Sequence, residues 1–565
     1  MGNCKKRSSL IDLMKNTNDS RLMNKCRLSS LGLFLGLQLL VFASLCCTNE
    51  AVATAPPTLN FADCLSAPNN AQIKPIPKGD VSKIVYQQNN ANPTFTSVLD
   101  DYVRNLRYNT TSTPKPAMIV TPLTEDQVPA VVVCAKASGI EMRIRSGGHD
   151  YEGVSYVSYA KTFMILDMFN LRSVDVTIDQ KGAGSAWVKA GAYLGELYYR
   201  ISEKSRVHGF PAGVCPTVAV GGHLSGAGYG NMLRQYGVSV DHVVDARIVN
   251  ANGEILDRKG MGDDLFWAIR GGGGASFGVI LAYKIELVAV PEKVTYFRVE
   301  KMVEENGTAV VIEFQKAVRS MDSRLFVRLL VQPSTTANKN KTVKITAIAL
   351  FLGNKIEAVK EAKKELPSLG LNETECVEMS WIESVVKWAN FKDNAAEPQD
   401  LLSRVPEDPI KYGKRKSDYV ETAIPEEGLR TLWNKIQGGE VGMVFNSYGG
   451  KLTETSDNAT AFPHRSNTLF KIQYSVSWEN GTDTEANLKQ AKDLYQFMTP
   501  YVANPRRAYL NYRDLDIGTN QKQQSDVFGS MYFRDNFKKL VQIKKQVDPQ
   551  NFFRYEQSIP LSATH

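Results

Sequence analysis

Three glycine-rich clusters in the first half of the chain could bind an anion through backbone amides. They are Ser146-Gly147-Gly148-His149, Gly221-Gly222-His223-Leu224-Ser225-Gly226-Ala227-Gly228 and residues 271–274. Glycine allows close approach of a ligand and adopts the positive φ angles at which consecutive N–H groups converge. One such cluster is better explained by a tight turn, but three beside β-rich runs favour the pyrophosphate of a dinucleotide. None has the G-x-G-x-x-G spacing between a strand and a helix, so a Rossmann fold is disfavoured.

A second group of chemically useful side chains lies nearer the C-terminus. Lys471 and Gln473 alternate with Phe470, Ile472 and Tyr474, so a β-strand would place both polar side chains on one face. That face could line a pocket, or it could be the solvated face of an edge strand. The spacing alone favours the solvated face of an edge strand.

The elements that must hold these residues alternate between strands and helices over residues 115–290, which is typical of an α/β or α+β domain. Thr124-Glu125-Asp126-Gln127 has the capping-box pattern and predicts a helix that ends at Gly139. We predict strands at 117–121, 140–145, 163–168 and 186–190, a hairpin pairing 246–249 with 254–257, and a helix at 263–270. From about residue 293, apolar strands at 325–331 and 342–352 and a helix at 355–365 predict a second domain of a sheet and helices.

Composition and the N-terminus narrow the class of protein. The chain has 565 residues, 43% hydrophobic and 22% charged, which are ordinary globular values. Its net charge of +8 comes about half from the first 53 residues, and the remainder carries no basic stripe of the kind that binds nucleic acid. A basic stretch, the apolar run 31–47 and Ala51-Val52-Ala53 predict a signal peptide over residues 1–53. The run is too short for stable membrane insertion, and a start at Met23 would give the leader an ordinary length.

Because the chain is predicted to be secreted, its sequons are candidate glycosylation sites and its cysteines can form disulfides. Sequons follow the leader at Asn109, Asn306, Asn340, Asn372, Asn458 and Asn480. The predicted mature chain holds Cys64, Cys134, Cys215 and Cys376, too few for a disulfide scaffold. Their spacing does not determine a pairing, and we expect one disulfide and two cysteines with other roles.

Five motifs, in order, give the chain a recognisable resemblance. They are Arg145-Ser146-Gly147-Gly148-His149-Asp150-Tyr151-Glu152-Gly153, Gly213-Val214-Cys215-Pro216-Thr217-Val218 followed by Gly221-Gly222-His223, Phe462-Pro463-His464-Arg465, Leu510-Asn511-Tyr512-Arg513-Asp514, and Asp548-Pro549-Gln550-Asn551-Phe552-Phe553-Arg554. The pattern resembles the plant berberine-bridge-enzyme-like oxidases over nearly all of the chain after residue 57.

The resemblance implies an α+β fold with a two-lobed FAD domain and an inserted substrate domain. The FAD domain would comprise residues 57–292 and the C-terminal segment 500–565, and the sheet-and-helix substrate domain would comprise residues 293–499. In that family a histidine bonds the 8-methyl carbon of the flavin and a cysteine bonds C6, which implies bicovalent FAD on His149 and Cys215. Taken without the family, His149 would be a hydrogen-bonding turn residue and Cys215 a small buried hydrophobe. Further cofactor contacts are implied for Arg145, Ser146, Gly147, Gly148, Asp150, Gly221, Gly222, His223, Ser225, Gly226 and Asn511, and a disulfide is implied for Cys64 and Cys134.

The resemblance also implies the residues that act on the substrate. Tyr512 matches the tyrosine that removes the hydroxyl proton in several members, while the flavin takes hydride. A tyrosine with a pKa near 10 is a poor base at neutral pH and needs a nearby cation. Lys471 matches the lysine that supplies this cation in the alcohol-oxidising branch, with Gln473 beside it. Tyr151 and Tyr156 are further candidates for the pocket wall.

Val218 stands where the family places an oxygen gate, and valine there tends to accompany reactivity with molecular oxygen. We therefore expect an extracellular FAD oxidase that converts a small alcohol, either a carbohydrate or a monolignol-type allylic alcohol, and releases hydrogen peroxide. Two alternatives stay open: an oxidative cyclase of a plant phenolic or alkaloid, and a non-redox cyclase that keeps flavin as a scaffold. No metal site and no nucleic-acid partner are expected, and the sequence does not predict an oligomeric state.

Overall fold

A computed structural model describes residues 60–88, 93–160, 162–393, 395–406 and 408–563. The predicted signal peptide, residues 1–53, lies outside them. Within this part of the chain, sheets and helices combine in an α+β fold, which confirms the predicted fold class. No helix in the described ranges has the length and apolar character that crossing a membrane requires.

The first sheet carries the first glycine-rich loop at the end of one strand. Its strands, in the order β1-β2-β4-β3, are β1 (Val85–Gln87), β2 (Met118–Val120), β3 (Glu141–Arg145) and β4 (Phe163–Asp167). Strands β3 and β4 are parallel and bring Arg145 opposite Asp167. The two fully buried side chains form a 2.7 Å ion pair, and Arg145 also donates to the carbonyls of Val98 and Leu99. This buried cation therefore fixes the strand end from which the loop departs.

Two further sheets complete the first half of the chain. A five-stranded antiparallel sheet has the order β5-β6-β10-β8-β9, and a two-stranded ribbon pairs β11 with β7. Their bounds are β5 (Val174–Ile178), β6 (Gly184–Lys189), β7 (His208–Gly209), β8 (Val243–Val249), β9 (Ile255–Leu256), β10 (Val279–Glu286) and β11 (Val288–Ala289).

The largest sheet has seven antiparallel strands in the order β15-β12-β14-β13-β17-β18-β16. They are β12 (Val294–Met302), β13 (Leu325–Thr335), β14 (Lys341–Phe351), β15 (Cys376–Met379), β16 (Tyr412–Val420), β17 (Gly442–Ser447) and β18 (Phe470–Trp478). Strand β18, which carries Lys471 and Gln473, lies between β17 and β16. It is therefore an interior strand, and the edge-strand alternative is wrong.

Sixteen helices occupy the described ranges. They are α1 (Phe61–Ser66), α2 (Lys78–Ile84), α3 (Pro93–Asp100), α4 (Val128–Ala137), α5 (Leu194–Lys204), α6 (Val220–Ser225), α7 (Leu233–Tyr236), α8 (Arg258–Ala268), α9 (Gly307–Ala317), α10 (Lys355–Glu365), α11 (Trp381–Ala389), α12 (Glu426–Gln437), α13 (Lys451–Glu454), α14 (Thr484–Phe497), α15 (Ser525–Phe533) and α16 (Asn536–Val547). Helices α12 and α14 pack on the seven-stranded sheet.

The predicted strands, hairpin and helices are present with small shifts at their ends, but the capping box at Thr124 is wrong. Residues 125–127 form a 3₁₀ turn, and α4 begins only at Val128. The Thr124 hydroxyl donates to the Asp126 carboxylate, and Gln127 Oε1 accepts from the backbone N–H of Leu123 at 2.8 Å. A 3₁₀ turn is wound more tightly than an α-helix. The Gln127 side chain therefore reaches the N–H of Leu123, one residue before the N–H of Thr124 that the capping box predicts.

Apolar side chains form two large clusters that differ in their origin along the chain. One is built from residues between Phe297 and Met498, around the seven-stranded sheet. The other draws on both ends of the described chain, from Phe61 to Ile559. This distribution is compatible with an inserted domain, and the proposed boundaries near 292 and 500 remain a prediction.

His464, in the Phe462-Pro463-His464-Arg465 motif, is part of the buried core. It has no exposed surface, stacks on Tyr419 with ring centroids 4.3 Å apart, and shares a hydrogen bond with the carbonyl of Tyr532. Burial lowers the pKa of His464 well below 6.5, with the Arg507 guanidinium adding to the effect. The folded protein therefore keeps this imidazole neutral.

We expect the free energy of unfolding to decrease as the pH falls below about 6.5, because only the unfolded chain then protonates His464. The decrease attributable to one such histidine is about 1.4 kcal/mol per pH unit. His464→Gln should remove that part of the slope. Urea unfolding between pH 7.5 and pH 4.5 measures it, and an identical slope in both proteins would contradict the neutral buried state.

The cysteines and sequons can be placed in the described ranges. Cys64 and Cys134 form a disulfide, the pair that the family resemblance implies, while Cys215 and Cys376 are free. The asparagine of each sequon is exposed except that of Asn109, which is half-buried and accepts from Lys115 Nζ. All six can be tested as glycan sites by mass spectrometry.

Candidate active site and cofactor cavity

One large cavity brings together residues from the glycine-rich loops, the seven-stranded sheet and the C-terminal segment. Its wall includes residues 146–151 after β3, residues 213–215 and 218–219, and residues 273–275. Arg328, Leu330, Val444 and Gln473 approach from the large sheet, and residues 509–513 approach from the C-terminal segment. The glycine clusters and the Lys471–Gln473 strand therefore meet at one place, although they are far apart in sequence.

The first loop places His149 on the cavity wall. Gly148 has φ +68°, and a Cβ atom there would lie 2.1 Å from the carbonyl oxygen of Tyr102, so this position requires glycine. The His149 ring has Nε2 3.1 Å from the Thr217 hydroxyl. Burial and the Arg104 guanidinium lower the pKa of His149 to about 3. The imidazole is thus neutral at physiological pH, with one nitrogen engaged by Thr217.

The second segment places the free thiol of Cys215 on the same wall. Cys215 is exposed, and it lines the cavity together with its neighbours Val214 and Val218. Thr217, which holds His149, is only two residues further along. The hydroxyl of Tyr198 donates to the carbonyl of Gly213 at 2.6 Å and holds the start of the segment. The two residues with tether roles in the resemblance are therefore linked through one threonine.

Most of the glycines that the sequence assigned to ligand contact are required by the packing of chain segments. A Cβ atom would lie 2.9 Å from the backbone nitrogen of Ala219 at Gly147, 2.7 Å from Ser146 Oγ at Gly221, and 2.1 Å from Asn511 Oδ1 at Gly226. Gly222 differs, because a Cβ there would have no neighbour within 4 Å. It is exposed and lines the cavity, so its backbone is open to a ligand.

His223 and Asn511 connect the glycine-rich helix α6 to the C-terminal motif. The backbone N–H of Gly213 donates to His223 Nε2 at 3.1 Å, and the Asn511 amide donates to the His223 carbonyl at 2.8 Å. Burial lowers the pKa of His223 to about 3, with Lys471 adding to the effect. Because Nε2 of this neutral ring accepts, Nδ1 carries the hydrogen and is available as a donor. Ser225, also on the wall, donates its hydroxyl to the carbonyl of Gly221.

Tyr512 belongs to an aromatic cluster on one side of the cavity. Its hydroxyl is bonded to the hydroxyl of Tyr229, and its ring lies 5.1 Å from Tyr509 and 5.7 Å from Tyr151. Burial raises the pKa of Tyr512 well above 10, and the Tyr229 phenol raises it further. Without a compensating charge, Tyr512 is a neutral phenol.

The amine of Lys471 is buried behind these rings. Its Nζ lies 3.3 Å from the ring centroid of Tyr229, 3.8 Å from that of Tyr509 and 4.6 Å from that of Tyr512. It has no hydrogen-bond partner among the described residues. Burial lowers the pKa of Lys471 well below 10.5, and the faces of the three rings offset part of that cost by attracting the ammonium group. Lys471 therefore contacts the tyrosine rings and is not part of the cavity wall.

Gln473 and Arg328 line the same part of the cavity directly. Gln473 donates to the hydroxyl of Tyr151 at 2.9 Å. Arg328, on β13, donates to Asn446 at 2.9 Å, and its charge lowers the pKa of the Tyr229 phenol against the larger effect of burial. The cavity thus presents tyrosine hydroxyls, an amide and a guanidinium group to a bound molecule.

Several residues stand apart from the sequence predictions. Arg145 does not line the cavity, because Asp167 and two carbonyls take its guanidinium. Asp150 lines it, but its carboxylate accepts from Arg513 at 2.8 Å. Tyr156 is buried away from the wall, whereas Tyr151 is part of it. The sequence predictions missed Tyr229, Thr217 and Arg328. Arg328 could have been found, because a charged residue inside the apolar run 325–331 is unusual.

The cavity is compatible with a flavin dinucleotide. A neutral histidine and a free thiol lie on one wall, the backbone at Gly222 is open, and His223 presents a donor. Bound FAD would be held by residues 146–150 and 221–226 and would supply a hydride acceptor.

Comparisons with known proteins agree with this arrangement. A family profile described as an FAD binding domain matches residues 116–258, and one described as berberine and berberine like matches residues 508–560. Berberine bridge enzyme-like 21 from Arabidopsis thaliana is 52% identical over 523 residues, which cover 90% of this chain and 94% of that protein.

Solved structures show the same fold. The structure of berberine bridge enzyme from Eschscholzia californica has a TM-score of 0.81 at 33% identity, covering 90% of this chain and 100% of that chain. Phl p 4, a grass pollen allergen with glucose dehydrogenase activity, has a TM-score of 0.80 at 38% identity, covering 89% and 99%. The chain belongs to the berberine bridge enzyme-like family of FAD-dependent oxidoreductases.

Proposed function

We propose that this protein is a secreted oxidase of alcohols that carries FAD covalently on His149 and Cys215 and transfers electrons to oxygen. The observation that carries the proposal is the meeting of these two residues with Tyr512 and Tyr229 around one cavity, with Lys471 directly behind the tyrosine rings. The flavin, when bound, accepts the hydride. The protein has to hold the substrate and remove the hydroxyl proton.

Tyr512 is the group that we assign to proton removal. A phenolate at Tyr512 and an ammonium at Lys471 are each costly alone in a buried site. Together they stabilise each other across the ring face, and Arg328 adds a second positive charge on the cavity side. The Tyr229 hydroxyl is hydrogen-bonded to that of Tyr512, and once Tyr512 is ionised it would donate to the phenolate oxygen and orient it. Tyr512 can then accept the proton of a substrate hydroxyl as the hydride leaves the adjacent carbon.

The surroundings of the cavity favour a carbohydrate over a flat allylic alcohol. A groove continues from the cavity along the seven-stranded sheet, and Leu330 and Val444 line both. Its further wall is polar and includes Gln332, Lys344, Glu440, Ser475 and Ser477. A surface with this many donors and acceptors suits a molecule with many hydroxyl groups. A variant of Phl p 4 whose structure is solved is a glucose oxidase, which supports the same substrate class here.

Val218 lines the cavity three residues after Cys215, and we propose that it admits oxygen to the reduced flavin. Val218→Leu adds one methylene to this wall. A methylene in a tight apolar pocket changes rates by about 10- to 200-fold, and we expect that loss in reoxidation by oxygen. Anaerobic reduction should keep its rate. Stopped-flow measurement of both half-reactions checks this, and equal reoxidation in the two proteins would rule out the gate.

A substrate panel read by peroxide release tests the proposed function. We expect glucose or cellobiose to bleach the flavin under anaerobic conditions and to release peroxide in air, with coniferyl alcohol slower. Flavin should stay with the protein after denaturation in the wild type and in each of His149→Ala and Cys215→Ala, and should be lost from the double variant. Release from the denatured wild type would disprove covalent attachment. Ring closure of a phenolic or alkaloid, with no reaction of any alcohol, would replace the oxidase by an oxidative cyclase.

A further inference from the structure

Two ionic links join the loop that carries His149 to the loop that carries Tyr512. We call residues 149–153 the tether loop and residues 512–516 the base loop. In the first link, Arg513 Nε donates to the Asp150 carboxylate at 2.8 Å. In the second, Lys414 Nζ lies 2.5 Å from the carboxylate of Glu152 and 2.8 Å from that of Asp514. The two loops are therefore held side by side at both of these points.

Lys414 is not part of either loop. It belongs to strand β16 of the seven-stranded sheet, whose neighbour β18 carries Lys471 and Gln473. One ammonium group thus joins three parts of the site: the tether loop, the base loop and the sheet that carries Lys471 and Gln473. Asn105 supports the same junction, because its amide donates to the carbonyls of Tyr151 and Gly413 at 3.0 Å.

Burial makes this link hard to explain by stability alone. The side chains of Lys414, Glu152 and Asp514 are each 2–3% exposed. Replacing a buried ion pair by apolar residues of similar size is often neutral or stabilising, because desolvation cancels the Coulomb attraction. An ionic link does, however, set the separation of its partners within narrow limits. The contribution of the Lys414 link is therefore to fix the distance between the tether loop and the base loop.

We propose that Lys414 is a positioning residue that sets Tyr512 in register with the flavin held by His149. This inference rests on the proposed role of Tyr512. A shift of about 1 Å between reacting groups can reduce a rate about 10²-fold, so small movements of the base loop have large kinetic effects. Lys414 touches neither the cavity nor the reacting atoms, and it acts through Glu152 and Asp514.

The same strand offers a matched control. Lys416 Nζ lies 2.7 Å from Asp514 and 2.6 Å from Asp516, and its side chain is 3% exposed. Both partners belong to the base loop, so Lys416 does not reach the tether loop. The side chain of Asp516 is 56% exposed, and its carboxylate also lies 3.2 Å from Lys414 Nζ. Loss of Lys416 with Asp516 therefore removes a half-exposed ion pair of the same network, while the contacts of Lys414 with Glu152 and Asp514, which join the two loops, stay in place.

The test compares two charge-balanced double variants of the flavin-loaded enzyme, Lys414→Met/Glu152→Gln and Lys416→Met/Asp516→Asn. We expect the first to lower kcat about 10²-fold for the fastest alcohol of the glucose, cellobiose and coniferyl alcohol panel, with KM changed less than threefold and flavin attachment intact. The second should stay within about threefold of wild-type kcat. The single variant Lys414→Arg, which keeps the charge, should retain most of the wild-type kcat.

Hydrogen exchange gives a readout that does not depend on a substrate. Backbone amides of the tether loop should exchange faster in the Lys414 double variant and at the wild-type rate in the Lys416 double variant. Unchanged exchange in the former, equal kcat losses in both, or a parallel rise in KM would overturn the inference. Tyr512→Phe is assayed beside them: an active Tyr512→Phe enzyme refutes the proposed base role of Tyr512, on which this inference rests, whereas an inactive one with a fully active Lys414 double variant refutes only the positioning role.

Discussion

Tyr512→Phe is expected to lower kcat by about 10²- to 10⁴-fold, the usual contribution of a general base. The substitution removes one oxygen atom and leaves the ring between Tyr151, Tyr229 and Tyr509, whose packing should be preserved. KM should change little, because the lost interaction is made mainly in the transition state. Stopped-flow reduction under anaerobic conditions measures the chemical step without the oxygen reaction.

Tyr229→Phe is the matched control for this prediction. It removes the hydroxyl that is bonded to Tyr512, so it should lower the rate by much less than Tyr512→Phe. Both variants should retain flavin after denaturation, since neither residue belongs to the tether segments. Equal losses would assign the base to the hydroxyl pair as a unit, and near-wild-type turnover of Tyr512→Phe would exclude Tyr512.

Much of the fold could be predicted because its signals are local. The strand before the first glycine loop, the hairpin at Asn252-Gly253 and the helix at Lys355–Glu365 each follow from periodicity and turn residues. The capping box failed for a reason that is also local: a 3₁₀ turn and an α-helix start with the same residues, and the choice depends on packing of the following turn.

The site could be predicted only where residues carry a motif. His149, Cys215 and Tyr512 lie in motifs and do line one cavity. Tyr229 and Arg328 are held there by partners that are distant in sequence, the Tyr512 hydroxyl and the Asn446 amide, and no local pattern predicts such contacts. Arg145, at the start of the first motif, shows the opposite error. It was predicted to contact the cofactor, but its guanidinium group is bound by the buried Asp167 on the next strand.

Glycine illustrates why a correct location can have a different physical cause. Clusters at 146–149 and 221–228 were assigned to anion binding, and they do surround the cavity. Yet Gly147, Gly221 and Gly226 are required because other chain segments pack against them, and of these clusters Gly222 has open space where its side chain would be. The glycines in the sequence show that the backbone must pass close to another group. The structure shows whether that group can be a ligand or is another segment of the chain.

Lys471→Met is expected to move the acidic limb of the kcat/KM profile to higher pH by about 1–3 units, the effect of removing a cation near an ionising group. The sign follows from the role of Tyr512: the base works deprotonated, Lys471 stabilises the phenolate, and loss of the cation raises the pKa that the substrate encounters. Below that pKa the active fraction falls tenfold per pH unit, so the rate at pH 7 should fall by about 10- to 10³-fold.

A stability measurement separates this electrostatic effect from damage to the fold. Lys471 is fully buried and has no hydrogen-bond partner in the described chain, so methionine of similar length should leave the thermal unfolding temperature unchanged or raise it. The rate at high pH should then approach the wild-type value, because enough hydroxide ionises Tyr512 without help from a cation. A rate that stays low at every pH, in a protein of normal stability, would show that Lys471 contributes something other than its charge.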